Sequence, residues 1–329
     1  MMKKLLFFCI STFAMASEPS WYHNLPNHTP NSYMGYGSGA SESEATNNAL
    51  ISISSQINTK IDSQITQNKA FKDGSYQKDI QIKSNQQTKS NLSDYDVVKM
   101  SYEDGAFYVA IAYENISSID KFIKKIKAKV TKDEPQNSYI AKTYLAKELK
   151  HTLSNDINFG LLRKDKKWYL KYQDMLQVID KNDFEKFFTN VTNENITITT
   201  NKKSNILYDG DQFYFEVNSK TDGFVTILSV YEDGTVTTLY RNIPIKKTKT
   251  AHIPNDKFES VLAAGILEKG SETFDMYVAI ITKDKVQFDR FATANEDIET
   301  NERYKNFDEL IGFLEDKTYT TLKVVTKPK

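Results

Sequence analysis

Tyr33-Met34-Gly35-Tyr36-Gly37-Ser38-Gly39-Ala40-Ser41, running on through Glu44 and Ala45 to Ala49, Ile53, Ile57, Ile61 and Ile65, decides how the N-terminal part of this chain is read. Ser41 and Glu44 form a capping-box pair: the hydroxyl accepts from a free backbone N–H and the carboxylate reaches back to the cap. A helix is therefore expected from Ser41 to Thr66, roughly 39 Å long. Its apolar residues recur at every fourth position, giving an inclined ridge that precesses around the helix and suits a twisted sheet. The glycines before it read as a tight strand-to-helix turn, because Gly takes positive φ without steric cost.

The same glycines satisfy a Gly-x-Gly-x-x-Ala dinucleotide fingerprint. Such a site needs a hydrophobic parallel strand before the turn and a second strand with an acidic residue after the helix. Alternating polar segments and a Gln/Asn/Ser/Lys-rich stretch follow instead, so no cofactor is assigned. Ile80 and Ile82, Val97 to Tyr102, and Phe107 to Tyr113 after the Asp104-Gly105 turn predict an antiparallel meander. Ile119, Phe122, Ile123 and Ile126 predict a second amphipathic helix on that sheet.

Ahead of this block stand a leader and an aromatic pair. Lys3 and Lys4, the apolar run Leu5 to Phe13, and Ala14-Met15-Ala16 before Ser17 have the layout of an export signal cleaved after Ala16. The apolar run is about nine residues where a spanning helix needs about 20, so no transmembrane helix is expected in the mature chain. Cys9, the sole cysteine, follows bulky Leu6-Phe7-Phe8, a poor context for acylation. The expected mature chain then has no thiol for a disulfide or a cysteine-ligated metal. Trp21 and Tyr22 are the candidate partner contact: either the rings cover the end of the sheet, as large aromatics favour, or they form an exposed anchor.

The elements Pro19-Ser20-Trp21-Tyr22, the Gly-rich run and the Ala-laddered helix together resemble the lipoprotein-20 family of bacterial envelope proteins, over about residues 17 to 130. That resemblance implies the periplasm or outer membrane as location and envelope proteins as partners. Relatives of this type include outer-membrane proteins around the flagellar motor, which implies a flagellar accessory role. It leaves self-association open.

Thr131 to Ser138, polar and containing Pro135, reads as a linker. Ile140, Tyr144, Leu145 and Leu149 recur helically, with Leu161-Leu162 continuing the packing. Trp168 to Tyr172 and Leu176 to Val178 read as a small hairpin, and Phe184, Phe187 and Phe188 as core at helical spacing. From Ile196 the pattern is antiparallel β: Phe213 to Val217, Phe224 to Tyr231, a Glu232-Asp233-Gly234 hairpin, Thr235 to Tyr240, and Phe274 to Ile281. A helix over Phe307 to Leu314 and a strand over Tyr319 to Val325 close it. Tyr208-Asp209-Gly210-Asp211, Gly223-Phe224-Val225, Asp233-Gly234 and Leu239-Tyr240-Arg241-Asn242 are similar to DUF family 4384, over about residues 190 to 325. That likeness implies a β-sandwich-like binding or assembly module.

The expected organisation is thus a leader (1–16), an α+β domain with a long helix on an antiparallel sheet (17–130), a linker with a small helix/hairpin segment (131–190), and a β-sandwich-like domain (191–329). With 43 basic and 43 acidic residues the chain offers no nucleic-acid surface. His23, His28, His151 and His252 are scattered, without ligand spacing. Asp209, Asp211 and Asp222 fall short of the six to eight oxygens a calcium cage requires. No metal, cofactor or catalytic residue is assigned, and the expectation is a non-enzymatic envelope scaffold. A glycan- or lipid-binding protein is the alternative, requiring an apolar pocket; an unrecognised hydrolase is the remote one, requiring charge-coupled residues in a cleft.

Overall fold

The computed structural model describes residues 18–25, 31–69, 92, 94–165, 167–202, 204–255, 261–287, 291–293 and 306–329. The chain is α+β and divides into two compact units, Met1–Ile116 and Ser117–Lys329.

In the first unit, β1 (Ser32–Gly39), β2 (Asp96–Glu103) and β3 (Ala106–Glu114) form an antiparallel sheet in the order β1-β3-β2. Helix α1 (Glu42–Lys69) lies on it. The expected ridge faces the sheet: Ala45, Ala49, Ile53 and Ile57 are buried with Val109, Ile111 and Tyr113. Ser41 Oγ accepts from Glu44 N at 3.2 Å, as a capping box requires. The Glu44 carboxylate, however, reaches one residue further back, accepting from Ala40 N at 2.9 Å. Asp104 and Gly105 both have positive φ, the conformation of the tight turn joining β2 to β3. Ile80 and Ile82 lie outside the described residues.

The glycine run is a strand and not a turn. Gly35, Gly37 and Gly39 pair with Ile111, Val109 and Phe107, so they share the face that α1 covers. A Cβ on Gly35 would overlap the carbonyl oxygen of Ala49, and one on Gly37 that of Ala45. On Gly39 it would stand 2.8 Å from Ala45 N. Glycine serves here to let the helix backbone descend onto β1, with alanines as its counterpart on the helix. Asn48 Nδ2 donates to Ser38 O at 2.8 Å and Gln56 Nε2 to Met34 O at 2.8 Å, tying the two together along their length.

In the second unit the main sheet has six strands, ordered β16-β12-β11-β15-β17-β8. They are β8 (Ile206–Tyr208), β11 (Gly223–Val230), β12 (Val236–Ile245), β15 (Thr273–Thr282), β16 (Ala292–Thr293) and β17 (Thr318–Lys327). A second sheet, ordered β13-β10-β7, joins β7 (Ile196–Thr200), β10 (Phe215–Ser219) and β13 (Ala251–Ile253). The two sheets bury Ile198, Phe215, Val217, Tyr277, Ala279 and Leu322 in one core, which gives the expected sandwich-like arrangement. The run Phe213 to Val217 breaks at Tyr214: β9 (Gln212–Phe213) pairs with β14 (Leu262–Ala263), whereas β10 joins the second sheet.

The opposite face of the six-stranded sheet is buried too. Phe274, Met276, Val278 and Ile280 alternate with the residues of the first core, and pack under the segment expected to be a linker with a small hairpin. Helix α2 (Ser118–Ile126), from the stretch expected in the first domain, joins this cover, and the segment itself carries α3 (Tyr144–Leu153), a sheet of β4 (Gly160–Lys164), β5 (Lys167–Tyr172) and β6 (Met175–Ile179), and α4 (Lys181–Phe184). Helix α5 (Phe307–Phe313) completes the cover.

Three expectations change accordingly. The units divide at 116/117 and not at 130/131. Helix α2 belongs to the second unit, because Ser118 Oγ donates to buried Asp183 Oδ2 at 2.6 Å and Ile119 N to the same oxygen at 3.2 Å. Residues 131–138 are fastened, not free: Glu134 N donates to Asp156 O at 2.8 Å, and Ser138 N to Glu315 Oε2 at 3.0 Å. Leu161 and Leu162 lie on β4, opposite Leu170 and Tyr169, and Leu161 packs against the core as expected. Phe184, Phe187 and Phe188 are core, with Phe184 stacked on Trp168 at 5.0 Å.

Candidate functional site

The strand character of residues 32–39 places Tyr36 between the glycines but on the other face of the sheet, beside Ala110. Tyr108 faces the same way, opposite Ser38. Tyr22 inserts between these two rings edge-on, at 5.6 Å from Tyr36 and 5.1 Å from Tyr108, and is buried. Burial raises its hydroxyl pKa, opposed by a hydrogen bond with Ser38. The pair therefore covers the helix-free face and not the end of the sheet.

Residues 19–25 hold themselves in position. Tyr22 N donates to Pro19 O at 2.8 Å and Asn24 N to Trp21 O at 3.0 Å, closing a turn. Leu25 N donates to the Tyr36 hydroxyl at 2.9 Å, and that hydroxyl donates to Leu25 O at 3.1 Å. His23, at φ 67°, lies against Tyr22 and Tyr36. Trp21 meets Tyr22 edge to face at 5.9 Å and is only half-buried. Lys99 Nζ sits 5.4 Å from its ring centroid, a cation–π distance. The two candidate residues thus divide the roles: Tyr22 is structural, and Trp21 is an indole presented on a fixed aromatic base.

Tyr36, Tyr108 and Lys99 were not singled out from sequence. Period-two reading of residues 33–39 as a strand would have found Tyr36, since the glycines and the tyrosine then fall on opposite faces. Ala14, Ala16 and Ser17 lie outside the described residues, as does His28. His151 is exposed on α3, and His252 on β13 stands 4.0 Å from Glu216. Asp211 Oδ2 accepts from Tyr208 N at 3.0 Å within a turn, and Asp222 Oδ1 accepts from Lys247 N at 2.7 Å just past the β11–β12 ladder. Among the described residues no three His, Cys, Asp or Glu are grouped to hold a metal ion.

A cavity of about 470 Å³ in the second unit is lined by Glu134, Gln136, Lys147, Lys150 and Asp156 among others, with Lys150 paired to Asp156. Pro135, Ala141 and Ala146 share the lining with these charged groups. Asp275 on β15 is pushed up to about 7, by burial first and then by Glu232 and Asp233. Its Oδ1 is shielded from solvent and has no hydrogen-bond partner.

Fold and site together describe a two-unit α+β protein in which a partly exposed indole rests on a buried tyrosine of the first unit. Residues 19–114 match the model of the LPP20 lipoprotein family, which covers less than a third of the chain. No curated protein and no solved structure matches. The match fits an envelope-associated protein, and among the described residues no helix is long and apolar enough to cross a membrane.

Proposed function

We propose that the chain is an exported, non-enzymatic docking protein of the cell envelope, accessory to an outer-membrane or flagellar assembly, with Trp21 as its anchor. The observation that carries this reading is the partly exposed indole resting on Tyr22, which Tyr36 and Tyr108 hold in turn. A rigid Trp needs little ordering on binding, and Trp leads the residue types that dominate interfaces. The likeness of the C-terminal part to DUF family 4384 supports a second assembly module in the same chain.

Crosslinking in intact cells followed by pull-down tests this. Trp21→Ala should cost about 2 kcal/mol or more of partner affinity and empty the pull-down of its envelope partners, while leaving the folded content unchanged. An unaltered set of partners with Trp21→Ala would overturn the anchor, and a chain that turns over a substrate would overturn the non-enzymatic reading.

A further inference from the structure

Strand β2 is the outer strand of the first sheet, bonded to β3 along one edge only among the described strands. Helix α1 packs on β1 and β3, so β2 stays largely uncovered: Val97 is 48% exposed, Val98 44% and Tyr102 62%. Exposed edges are usually blunted by charges or bulges, because their free N–H and C=O groups template pairing with another strand. A bulge does fall between Val97 and Lys99, but Lys99 to Glu103 beyond it keeps regular register with β3.

We propose that this edge is the contact between two copies of the chain, the two β2 strands pairing antiparallel about a twofold axis at Ser101. In that register Lys99 of each copy stands opposite Glu103 of the other, and Met100 opposite Tyr102. Opposite charges directly across an antiparallel pair stabilise it, and like charges destabilise it. Moving the axis one residue, to Met100, sets Lys99 against Ser101 and Glu103 against Val97, and both charge pairs are lost. Ser101 adds an independent mark. Its hydroxyl is shielded from solvent and has no hydrogen-bond partner; at the axis it would stand directly across from its own symmetry mate, where Ser–Ser hydrogen bonds form across strand pairs. The contact is isologous, as twofold symmetry demands, and turns two three-stranded sheets into one of six in the order β1-β3-β2-β2-β3-β1. A strand from an unrelated protein would find the same backbone groups but would have no reason to mirror this charge pattern. The contact shares Lys99 with the Trp21 site, so Glu103→Lys, which leaves that cation in place, keeps the two apart: a chain that pairs but docks to nothing, or docks as a monomer, would distinguish them.

The full chain, with and without charge exchange, tests the proposal by light scattering after size exclusion. The parent should be dimeric. Lys99→Glu and Glu103→Lys should each weaken the dimer by about tenfold or more, and the double variant Lys99→Glu/Glu103→Lys should restore it, which a mere folding defect would not. In a Cys9→Ser background, Ser101→Cys should give a disulfide-linked dimer on mild oxidation, since it then carries the sole thiol. A monomeric parent would overturn the proposal. Protection of the β2 amides in such a monomer would assign the edge to another part of the same chain. A dimer indifferent to both single charge reversals, or one that Ser101→Cys does not crosslink, would place the contact elsewhere and overturn it equally.

Discussion

Helix α1 meets its sheet backbone to backbone, through Gly35, Gly37 and Gly39 against Ala45 and Ala49. The six-stranded sheet of the second unit is covered by large side chains on both faces, with Phe215 and Tyr277 on one side and Phe188, Phe274 and Phe307 on the other. Close approach of the first kind needs few apolar atoms but tolerates no added Cβ. Layered aromatic packing of the second kind buries far more apolar surface and can absorb small losses by repacking. One cover is therefore limited by space and the other by volume. The second unit shows the spatial limit at Gly223, where a Cβ would overlap the carbonyl oxygen of Thr282, and at its β11–β12 hairpin: Gly234 has φ 79°, and a Cβ there would come within 2.8 Å of Cε2 of Trp168, whose Nε1 donates to Asp233 O at 2.7 Å.

The largest effect expected in the second unit comes from a polar tie and not from its aromatics. Asp183 is buried, accepts from Ser118 and Ile119, and pairs with Lys186 at 3.0 Å. Asp183→Ala leaves Ser118 Oγ and Ile119 N without their buried acceptor, while Lys186 keeps Glu148 at 2.8 Å, and should cost about 2–4 kcal/mol, seen in urea as earlier melting of the second unit with the first unchanged. An unshifted transition would mean that α2 is held by its apolar face alone.

A smaller effect of opposite sign is expected at Asp275. Its folded-state pKa, about 7, lies above the ordinary carboxyl value, so the folded chain binds more protons than the unfolded one between about pH 4 and pH 7. This carboxyl therefore takes away stability as pH rises through that window. Asp275→Asn should stabilise the chain by about 1–3 kcal/mol at pH 8 and change little near pH 4. Thermal melts at the two pH values check it; equal shifts at both would show that Asp275 is solvated in the folded state.

Much of this was legible in residue order. The ridge Ala45, Ala49, Ile53 and Ile57, the β2–β3 hairpin at Asp104-Gly105 and the strands of the main sheet follow from period and turn chemistry. The role of Gly35 to Gly39 did not, because glycine is equally suited to a turn and to a strand that a helix must approach, and only the partner surface separates these uses. The placement of α2 was hidden for a related reason: an amphipathic helix shows its apolar face but not which sheet receives it. At the aromatic site, Trp21 and Tyr22 could be picked out by type, whereas their division into exposed and buried depends on Tyr36 and Tyr108 arriving from two different strands.

The glycine face is tested most directly by hydrogen exchange on Gly37→Ala in the full chain. One methyl is added where a Cβ would overlap the Ala45 carbonyl oxygen, at an expected cost of about 3 kcal/mol. Protection should fall across α1, β1 and β3 while the amides of β11, β15 and β17 exchange as in the parent. Unchanged protection in α1 and β1 would contradict a helix seated directly on the glycine backbone.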